Sequence, residues 1–283
     1  MSPPSEFVSY AQNMEDVVLQ RLVSVVTRGR FIDVGAGHPI LENVTYALYL
    51  QGWRGINVEP MQAEVEMFRA ARPEDEIVQA AVGAMVGSVT LYEAPSENRG
   101  ATTSNRTFVE RHETLGAAFV EFESPLVTLS SLLEVSEPGA VHVVKIDVEG
   151  MEADVLHGAD LQLHRPWVVV VEATEPNSST STTHLWEHIV LGAGYECALF
   201  DGLNRFYVRT DRADVAALLS VPANVLDHWV SARMVEMRAE VAELRASFAV
   251  AEEYAHALQN VVADLREQSG TKRKLFGSKF ARP

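Results

Sequence analysis

Short apolar runs alternate with longer amphipathic stretches from residue 30 to about residue 210. The short runs are rich in Val, Ile and Phe and end at Gly, Pro, Asp or Asn, as strands do. They predict strands at Arg30–Val34, Gly55–Val58, Glu76–Ala80, Ser88–Tyr92, Val141–Ile146, Trp167–Glu172, Tyr195–Asp201 and Arg205–Val208. The stretches between them predict helices at Ala11–Val26, Asn43–Gln51, Gln62–Ala71, Leu129–Leu133, Met151–His157 and Thr183–Ala193. This alternation indicates a doubly wound α/β sheet, mostly parallel, with an antiparallel hairpin at one edge.

Residues 95–125 interrupt this alternation. The stretch is polar, rich in Gly, Ser, Thr and Asn, and long for a connection between two elements. Connections of this length inside a domain are usually functional. We therefore expect a lid or a substrate-binding loop here, the alternative being an ordinary surface insertion.

From Met234 onward the apolar positions change to alternating spacings of three and four residues. They are Met234, Met237, Val241, Leu244, Phe248, Ala251, Ala255, Leu258, Val262 and Leu265. Such a seam predicts a coiled coil that joins copies of the chain or binds a partner protein; the alternative is a long helix folded back on the domain. We expect a domain at 1–230, a coiled-coil helix at 231–269 and a flexible basic tail at 270–283.

Composition and charge narrow the class of protein. The chain has 283 residues, is 47% hydrophobic and carries a net charge of −16, which argues against nucleic-acid binding because phosphates would be repelled. A single cysteine excludes an internal disulfide framework and fits a reducing compartment. Neither a signal peptide nor a membrane-spanning run is evident, so the sequence predicts a cytoplasmic protein.

A cofactor loop is predicted where the first of these strands ends. The sequence FIDVGAGHP places Asp33 at the strand end and turns the chain through Gly35, Ala36 and Gly37. Glycine lets the backbone approach a nucleoside, and Glu59, at the end of the next strand, can accept ribose hydroxyl protons. A dinucleotide site would need a third glycine where Ile40 stands. The pattern therefore favours S-adenosylmethionine, which has no pyrophosphate, over a dinucleotide; a plain strand–turn–helix corner is the remaining alternative.

An acceptor side is predicted at the ends of two later strands. Ligands of open α/β sheets lie outside the carboxyl ends of the strands, where Asp147, Glu149 and Glu172 occur. Methylation of an alcohol requires a general base or a metal that lowers the pKa of the hydroxyl. Either these carboxylates act as the base, or Asp147, Glu172 and Asp201 bind Mg²⁺. As the alternative, the acids cap turns or pair with Lys145 and Arg205.

Two further residues are catalytic candidates. Lys145 is the only lysine before the basic tail and immediately precedes the predicted strand end. His38 follows the glycine loop and could reach the cofactor or the acceptor.

With these residues placed, the chain resembles the FkbM-type methyltransferase family over roughly residues 7–210. The resemblance lies in SYAQNMEDVVL (9–19), FIDVGAGHP (31–39), INVEP (56–60), QAAVG (79–83), KIDVEGME (145–152), VVVVE (168–172) and DGLNRFYV (201–208). It implies a class I methyltransferase fold and methylation of a hydroxyl on a sugar, glycolipid or polysaccharide.

The resemblance also implies residue roles. Cofactor contacts would come from Asp33, Gly35, Gly37 and Glu59, and from the QAAVG turn, with Ala80 and Ala81, near the adenine. Tyr10, Gln12 and Asn13 would close over the cofactor. Asp147 and Glu172 would lie beside the acceptor oxygen, with Asn204 and its neighbours Asp201 and Arg205 near the acceptor.

Two other functions are compatible with parts of this pattern. One is a nicotinamide-dependent oxidoreductase, which Ile40 and the lack of a Tyr–Lys or Cys catalytic set disfavour. The other is a non-catalytic scaffold that acts through its coiled coil, which the intact array of glycines and acids disfavours.

Overall fold

The structure is a computed structural model that describes residues 6–93, 102–104, 106–114, 118–135, 137, 139–175 and 178–277. Its strands are β1 (Phe7–Ser9), β2 (Arg30–Val34), β3 (Arg54–Val58), β4 (Glu76–Val78), β5 (Ala81–Val82), β6 (Gly87–Glu93), β7 (Thr102–Thr103), β8 (Val120–Val127), β9 (Val143–Ile146), β10 (Val168–Glu172), β11 (Tyr195–Phe200), β12 (Asn204–Arg209) and β13 (Trp229–Ser231). Its α-helices are α1 (Glu15–Leu19), α2 (Tyr46–Leu50), α3 (Gln62–Ala71), α4 (Arg106–Glu113), α5 (Leu129–Leu133), α6 (Glu152–His157), α7 (Leu161–His164), α8 (Glu187–Gly192), α9 (Ala213–Leu219) and α10 (Ala232–Gly277).

The main sheet of the described residues has seven strands in the order β4-β3-β2-β9-β10-β12-β11. Strands β2, β3, β4, β9 and β10 are mutually parallel, and β12 is antiparallel to both of its neighbours. The order reverses between β2 and β9, and open α/β sheets usually bind their ligands at such a point, outside the carboxyl ends of the strands. The predicted doubly wound class I fold, its antiparallel hairpin and its long C-terminal helix are confirmed.

Alternation along the strands divides the core into two layers. Ile32, Val34 and Val144 pack on one face of the sheet, whereas Phe31 and Val143 pack on the other with helix α1. Successive side chains of a strand point to opposite faces. This alternation also fixes the face on which each polar residue of a strand lies. The face of Phe31 carries Asp33, Lys145, Glu172 and Asn204.

The N-terminal helix is shorter than predicted. Instead of spanning Ala11–Val26, helix α1 covers Glu15–Leu19 and continues as a 3₁₀ helix over Gln20–Ser24. The carboxylate of Asp16 accepts the backbone N–H groups of Tyr10 and Ala11. Because a side chain binds these N–H groups, the residues before α1 form a non-helical turn and do not extend the helix.

The polar stretch 95–125 is only partly a loop. Its last residues belong to β8, which pairs antiparallel with β6 from Gly87↔Leu126 to Glu93↔Val120. Strand β7 and helix α4 also lie within it. The prediction of a lid or substrate loop also falls on residues 95–101, 105 and 115–117, which lie outside the described residues. The predicted strand Glu76–Ala80 is shorter in the structure, where β4 ends at Val78. The next strand, β5, begins at Ala81 and belongs to a second sheet of order β5-β8-β6-β7.

The chain divides into two units, Met1–Trp229 and Val230–Pro283. Most of the second unit is helix α10, which continues past the predicted end at residue 269 to Gly277. The flexible tail predicted at 270–283 is thus helical up to residue 277, and residues 278–283 lie outside the described residues. Among the helices described, none is both long enough and apolar enough to span a bilayer.

Candidate functional site

The glycine loop between β2 and α2 is a tight bend beside the end of β9. The backbone N–H groups of Gly35 and Ala36 both donate to the carbonyl of Val58 at 3.1 Å. Gly35 has φ +70°, and a Cβ there would overlap the carbonyl oxygen of Asp147. Gly37 has φ +58°, but a Cβ there would meet nothing within 4 Å. Gly35 is therefore required by packing, whereas Gly37 borders open space that a ligand can enter.

The acid at the end of β3 is held against this loop. One carboxylate oxygen of Glu59 accepts the N–H of Gly37 and the other accepts the N–H of Met61, both at 2.9 Å. Burial raises the pKa of Glu59 to about 7, although both backbone hydrogen bonds favour the ionised form. Each oxygen keeps one free lone pair in this arrangement, which fits a pair of ribose hydroxyls. Ala80 and Ala81 are buried after the next strand.

Asp33 is fully buried beneath the glycine loop. Its Oδ2 accepts the hydroxyl of Thr45 at 2.8 Å, and its Oδ1 lies 3.5 Å from the ammonium nitrogen of Lys145. Among the described residues, Oδ1 accepts no hydrogen bond although it is buried beside this cation. Asp33 is thus tied to the protein through Oδ2, and a cofactor contact through Oδ1 stays a prediction.

Lys145 joins the two halves of the site. Its ammonium donates to the carbonyl of Gly35 at 2.9 Å and lies 3.3 Å from Oδ2 of Asp147. Burial alone would lower the pKa of Lys145, but attraction to Asp147 and Asp33 outweighs it and raises this pKa. The Lys145 side chain is 9% exposed and that of Asp147 is 34% exposed, so Asp147 is the member of this pair that a ligand can reach.

Three acids lie together beyond Lys145. Burial raises the pKa of Glu172, as do the negative charges of Asp147 and Glu149 and a hydrogen bond to Asp147. Burial and the charge of Asp147 raise the pKa of Glu149 to about 8. Within the described part of the chain, Oε2 of Glu172 and Oε2 of Glu149 are buried without a hydrogen-bond partner. Glu149 also has φ +52°, a strained conformation for a residue with a side chain.

The predicted Mg²⁺ site is not supported. Among the described residues, no three His, Cys, Asp or Glu side chains are arranged to hold a metal ion. Asp201 accepts the N–H groups of Leu203 and Asn204 through Oδ1 within its own turn, and its Oδ2 is buried without a hydrogen-bond partner in the described part of the chain. Lys145 supplies the positive charge next to Asp147 instead.

The residues before α1 lie against both halves of the site. Ala11 forms a parallel bridge with Glu42, close to the glycine loop, and Tyr10 packs edge-to-face on Tyr46 at 4.7 Å. Gln12 is exposed and Asn13 donates its N–H to Glu15. Burial raises the pKa of Glu15 to about 7.

Two predicted residues have other partners. Arg205 lies on the opposite face of the sheet from Asn204, where it pairs with Glu187 at 2.6 Å and stacks over Phe200. His38 accepts the N–H groups of Ile40 and Leu41 through Nδ1. These contacts occupy Nδ1, and a catalytic role for His38 stays a prediction.

Sequence reasoning missed the residues that hold the loop from beneath. Asn43 and Thr45 are buried beside Ala36 and Asp33, and Arg72 lies below them. Glu15 and Asp16 stand within SYAQNMED, so a motif pointed to their position but not to their role. Arg72 follows an ordinary amphipathic helix, and no pattern marks it.

Comparisons with known proteins identify the family. A family model described as the methyltransferase FkbM domain matches residues 33–197, more than half of the chain. No curated protein sequence matches significantly.

Solved structures show only remote likeness. A TehB-like S-adenosylmethionine-dependent methyltransferase from Corynebacterium glutamicum is 9% identical with a TM-score of 0.36, over 69% of this chain and 88% of that one. Magnesium protoporphyrin IX methyltransferase from Synechocystis is 11% identical with a TM-score of 0.36, over 69% and 77%. A putative RNA methyltransferase from Pyrococcus horikoshii is 10% identical with a TM-score of 0.36, over 74% and 90%. Similarity this low identifies no substrate.

Proposed function

The chain belongs to the FkbM methyltransferase family, and we propose that this S-adenosylmethionine-dependent methyltransferase acts on a hydroxyl of a sugar, glycolipid or polysaccharide. Membership of this family argues against the alternative function of a nicotinamide-dependent oxidoreductase. The chemistry of the three acids Asp147, Glu149 and Glu172 supports oxygen as the methylated atom and a sugar as the acceptor.

The glycine loop and Glu59 are the proposed cofactor site. Gly37 borders open space, and the oxygens of Glu59 are oriented by two backbone N–H groups. Ala80 and Ala81 would lie by the adenine, and the turn of Tyr10, Gln12 and Asn13 would cover the cofactor. When bound, S-adenosylmethionine supplies an electrophilic methyl group. The acidic rim suits its positive sulfonium and ammonium groups.

Asp147 is the proposed general base. It is the partly exposed member of its ion pair with Lys145, so an acceptor hydroxyl can reach it. Lys145 compensates the charge of Asp147. The raised pKa of Glu172 keeps that residue protonated at neutral pH, so that it donates a hydrogen bond to Asp147. Asp147 would accept the proton of the acceptor hydroxyl as that oxygen takes the methyl group from bound S-adenosylmethionine, which would leave as S-adenosylhomocysteine.

One observation carries the proposal of a hydroxyl-rich acceptor. Four buried oxygens at the ends of β9, β10 and β12 have no hydrogen-bond partner within the described residues: Oε2 of Glu172, Oε2 of Glu149, Oδ2 of Asp201 and Oγ1 of Thr174. An unpaired buried oxygen costs about 1–3 kcal/mol. A ligand with several hydroxyl groups would satisfy these oxygens, and Asn204 lies among them. A neutral sugar also avoids repulsion from a chain of net charge −16.

The experiment that tests this proposal is a methyl-transfer assay with methyl-labelled cofactor. The protein is incubated with monosaccharides, glycolipids, polysaccharide fragments and phenols, and NMR of the product locates the methyl group. We expect an O-methyl sugar and, by calorimetry, binding of S-adenosylmethionine but not NAD. Methyl transfer only to nitrogen, carbon or a phenol would contradict the sugar assignment, and binding of NAD alone would contradict the cofactor assignment.

The long helix is proposed to join two copies of the chain as a coiled coil. Met234, Leu244, Phe248, Leu258 and Leu265 are exposed along the seam. At the flanking positions of a parallel pair, Glu240 of one copy would face Arg245 of the other. Leu244→Glu with Leu258→Glu should convert a dimer to a monomer in sedimentation, whereas Ala246→Glu with Asn260→Glu, off the seam, should not. A monomeric wild-type protein would contradict the proposal.

A further inference from the structure

Arg72 is a buried arginine whose whole guanidinium group is bound within the protein. It follows helix α3 and is 1% exposed. Its Nε and Nη2 donate to Oδ2 of Asp75 at 2.9 and 2.6 Å. Its remaining N–H groups donate to Asn43 and Thr45 at 3.0–3.1 Å. All five donors of the fork are therefore used.

Thr45 connects Arg72 to Asp33 through its hydroxyl group. The hydroxyl oxygen of Thr45 accepts from both Nη1 and Nη2 of Arg72, which fills its two lone pairs. The single hydroxyl proton must then point away from Arg72. It is directed to Oδ2 of Asp33 at 2.8 Å, the shorter of its two acceptor contacts. Because Asp33 begins the glycine loop, Arg72 acts through Thr45 on one end of that loop.

Asn43 makes the second connection. Its Oδ1 accepts from Arg72 and from the N–H of Thr45. These two donors fix which end of the amide is oxygen, so the Nδ2 group donates to the carbonyl of Ala36 at 3.0 Å. Ala36 is the middle residue of the Gly35–Gly37 bend. Arg72 therefore holds the loop at its start and at its centre.

We propose that Arg72, Asn43 and Thr45 form a positioning network that fixes Asp33 and the glycine loop in the conformation that binds S-adenosylmethionine. The three residues are buried beneath the loop, so they would act on a cofactor through the loop and not by contact. This inference rests on the cofactor part of the proposed function. Pre-ordering of the loop lowers the entropic cost of binding, so loss of the network weakens affinity even when the fold remains intact.

The tests use Thr45 and Asn43 because changes at Arg72 would leave Asp75 buried without its cation. Thr45→Val removes the hydroxyl at nearly constant volume, and Thr45→Ser restores it. Thr182→Val is the matched control, since Thr182 is also buried and its hydroxyl accepts the indole N–H of Trp186 at 3.4 Å. Asn43→Ala tests the second connection.

Two measurements are made on each full-length variant at a temperature where all are folded. Calorimetry should show about tenfold weaker binding of S-adenosylmethionine for Thr45→Val and Asn43→Ala, and near wild-type affinity for Thr45→Ser and Thr182→Val. Hydrogen exchange without cofactor should be faster at the amides of residues 35–37 in Thr45→Val and Asn43→Ala only.

The outcomes separate this inference from the proposed function. If Thr45→Val and Asn43→Ala lower the unfolding midpoint but keep wild-type affinity and wild-type exchange at residues 35–37, the network is merely structural and the inference is wrong. If wild-type protein does not bind S-adenosylmethionine, the proposed cofactor site is wrong. Exchange at residues 35–37 then still decides whether the network orders the loop.

Discussion

Asn204 donates its side-chain amide to the carboxylate of Glu15 at 2.6 Å, a contact between residues 189 positions apart. Asn204 begins β12 opposite Glu172, and Glu15 begins α1. The contact ties the turn of residues 10–14, which borders the glycine loop, to the strand end on the acceptor side. This buried hydrogen bond is thus a second link between the two sides of the site, in addition to Lys145.

Removing this bond should loosen the N-terminal turn. Asn204→Ala leaves the Glu15 carboxyl buried without its side-chain donor, so we expect faster hydrogen exchange at Tyr10–Met14 and a higher KM for S-adenosylmethionine. Asn57→Ala, which also removes a buried asparagine from a strand end, is the control. Equal exchange at Tyr10–Met14 in both variants would contradict the role given to Asn204.

The stability of the cofactor-free protein should fall as pH rises. Burial raises the pKa of Glu15 and of Glu59 to about 7, and that of Asp16 to about 6. Between pH 4.5 and 7 the folded state therefore binds more protons than the unfolded state, and the free energy of unfolding decreases with pH. The stability that these groups contribute is present at pH 4.5 and is lost by about pH 8.

Glu15→Gln tests this pH dependence. It removes one titrating group and should flatten the decline between pH 4.5 and 8 by up to about 3 kcal/mol. Urea unfolding at several pH values measures it, with the exposed Glu121→Gln on β8 as the control. A slope unchanged from wild type in Glu15→Gln would show that Glu15 titrates normally.

Asp147→Asn should separate turnover from cofactor affinity. The amide keeps the shape of the side chain but cannot take the acceptor proton. We expect about 10²–10⁴-fold lower kcat with a Kd for S-adenosylmethionine within about threefold of wild type. If the Kd rises together with the loss of kcat, Asp147 holds the glycine loop through Lys145 rather than accepting a proton.

A substitution at Gly37 should weaken cofactor binding by more than its effect on the stability of the fold explains. Gly37→Ala adds a Cβ toward open space at φ +58°, which costs about 1–2 kcal/mol of stability. Gly52→Ala imposes a similar backbone cost at φ +89°, also facing open space. We expect comparable losses of stability but weaker binding of S-adenosylmethionine only for Gly37→Ala. Equal affinities would place the cofactor away from Gly37.

Dialysis against a chelator should leave the rate nearly unchanged. We expect this because Lys145 supplies the positive charge beside Asp147. The measurement is kcat before and after dialysis against EDTA, with and without added Mg²⁺. Loss of activity that Mg²⁺ restores would contradict the metal-free mechanism.

Local pattern was enough to predict most of the main sheet. Strand β2 and helices α3 and α5 have the predicted bounds because continuous apolar runs and amphipathic spacing are properties of short segments. Strand β8 was missed because Gly, Ser and Thr nearby suggested a loop. Within it, Phe122 and Ser124 are less exposed than Glu121 and Glu123, and pairing with β6 decides the conformation of this segment.

The sequence predicted where the site lies better than it predicted the contacts within it. Asp33, Glu59 and Asp147 were each predicted at the carboxyl end of a strand, and therefore at the same edge of the sheet. The sequence could not show that Asp33 accepts a hydrogen bond from Thr45 and forms an ion pair with Lys145, nor that Arg205 faces the other side of the sheet. Partners such as Arg72 and Glu15 come from distant segments, and only the folded chain brings them to the site.

The parallel pairing of β5 with β8, Ala81↔Leu126 and Val82↔Val127, has a consequence for how such enzymes diversify. It brings the two ends of the segment 83–125 side by side. One residue of this segment, Thr103, donates its hydroxyl to the carbonyl of Glu149. Replacing the segment would alter the surroundings of Asp147, Glu149 and Glu172 without interrupting a strand of the main sheet. A library that changes acceptor preference should therefore be built in this segment.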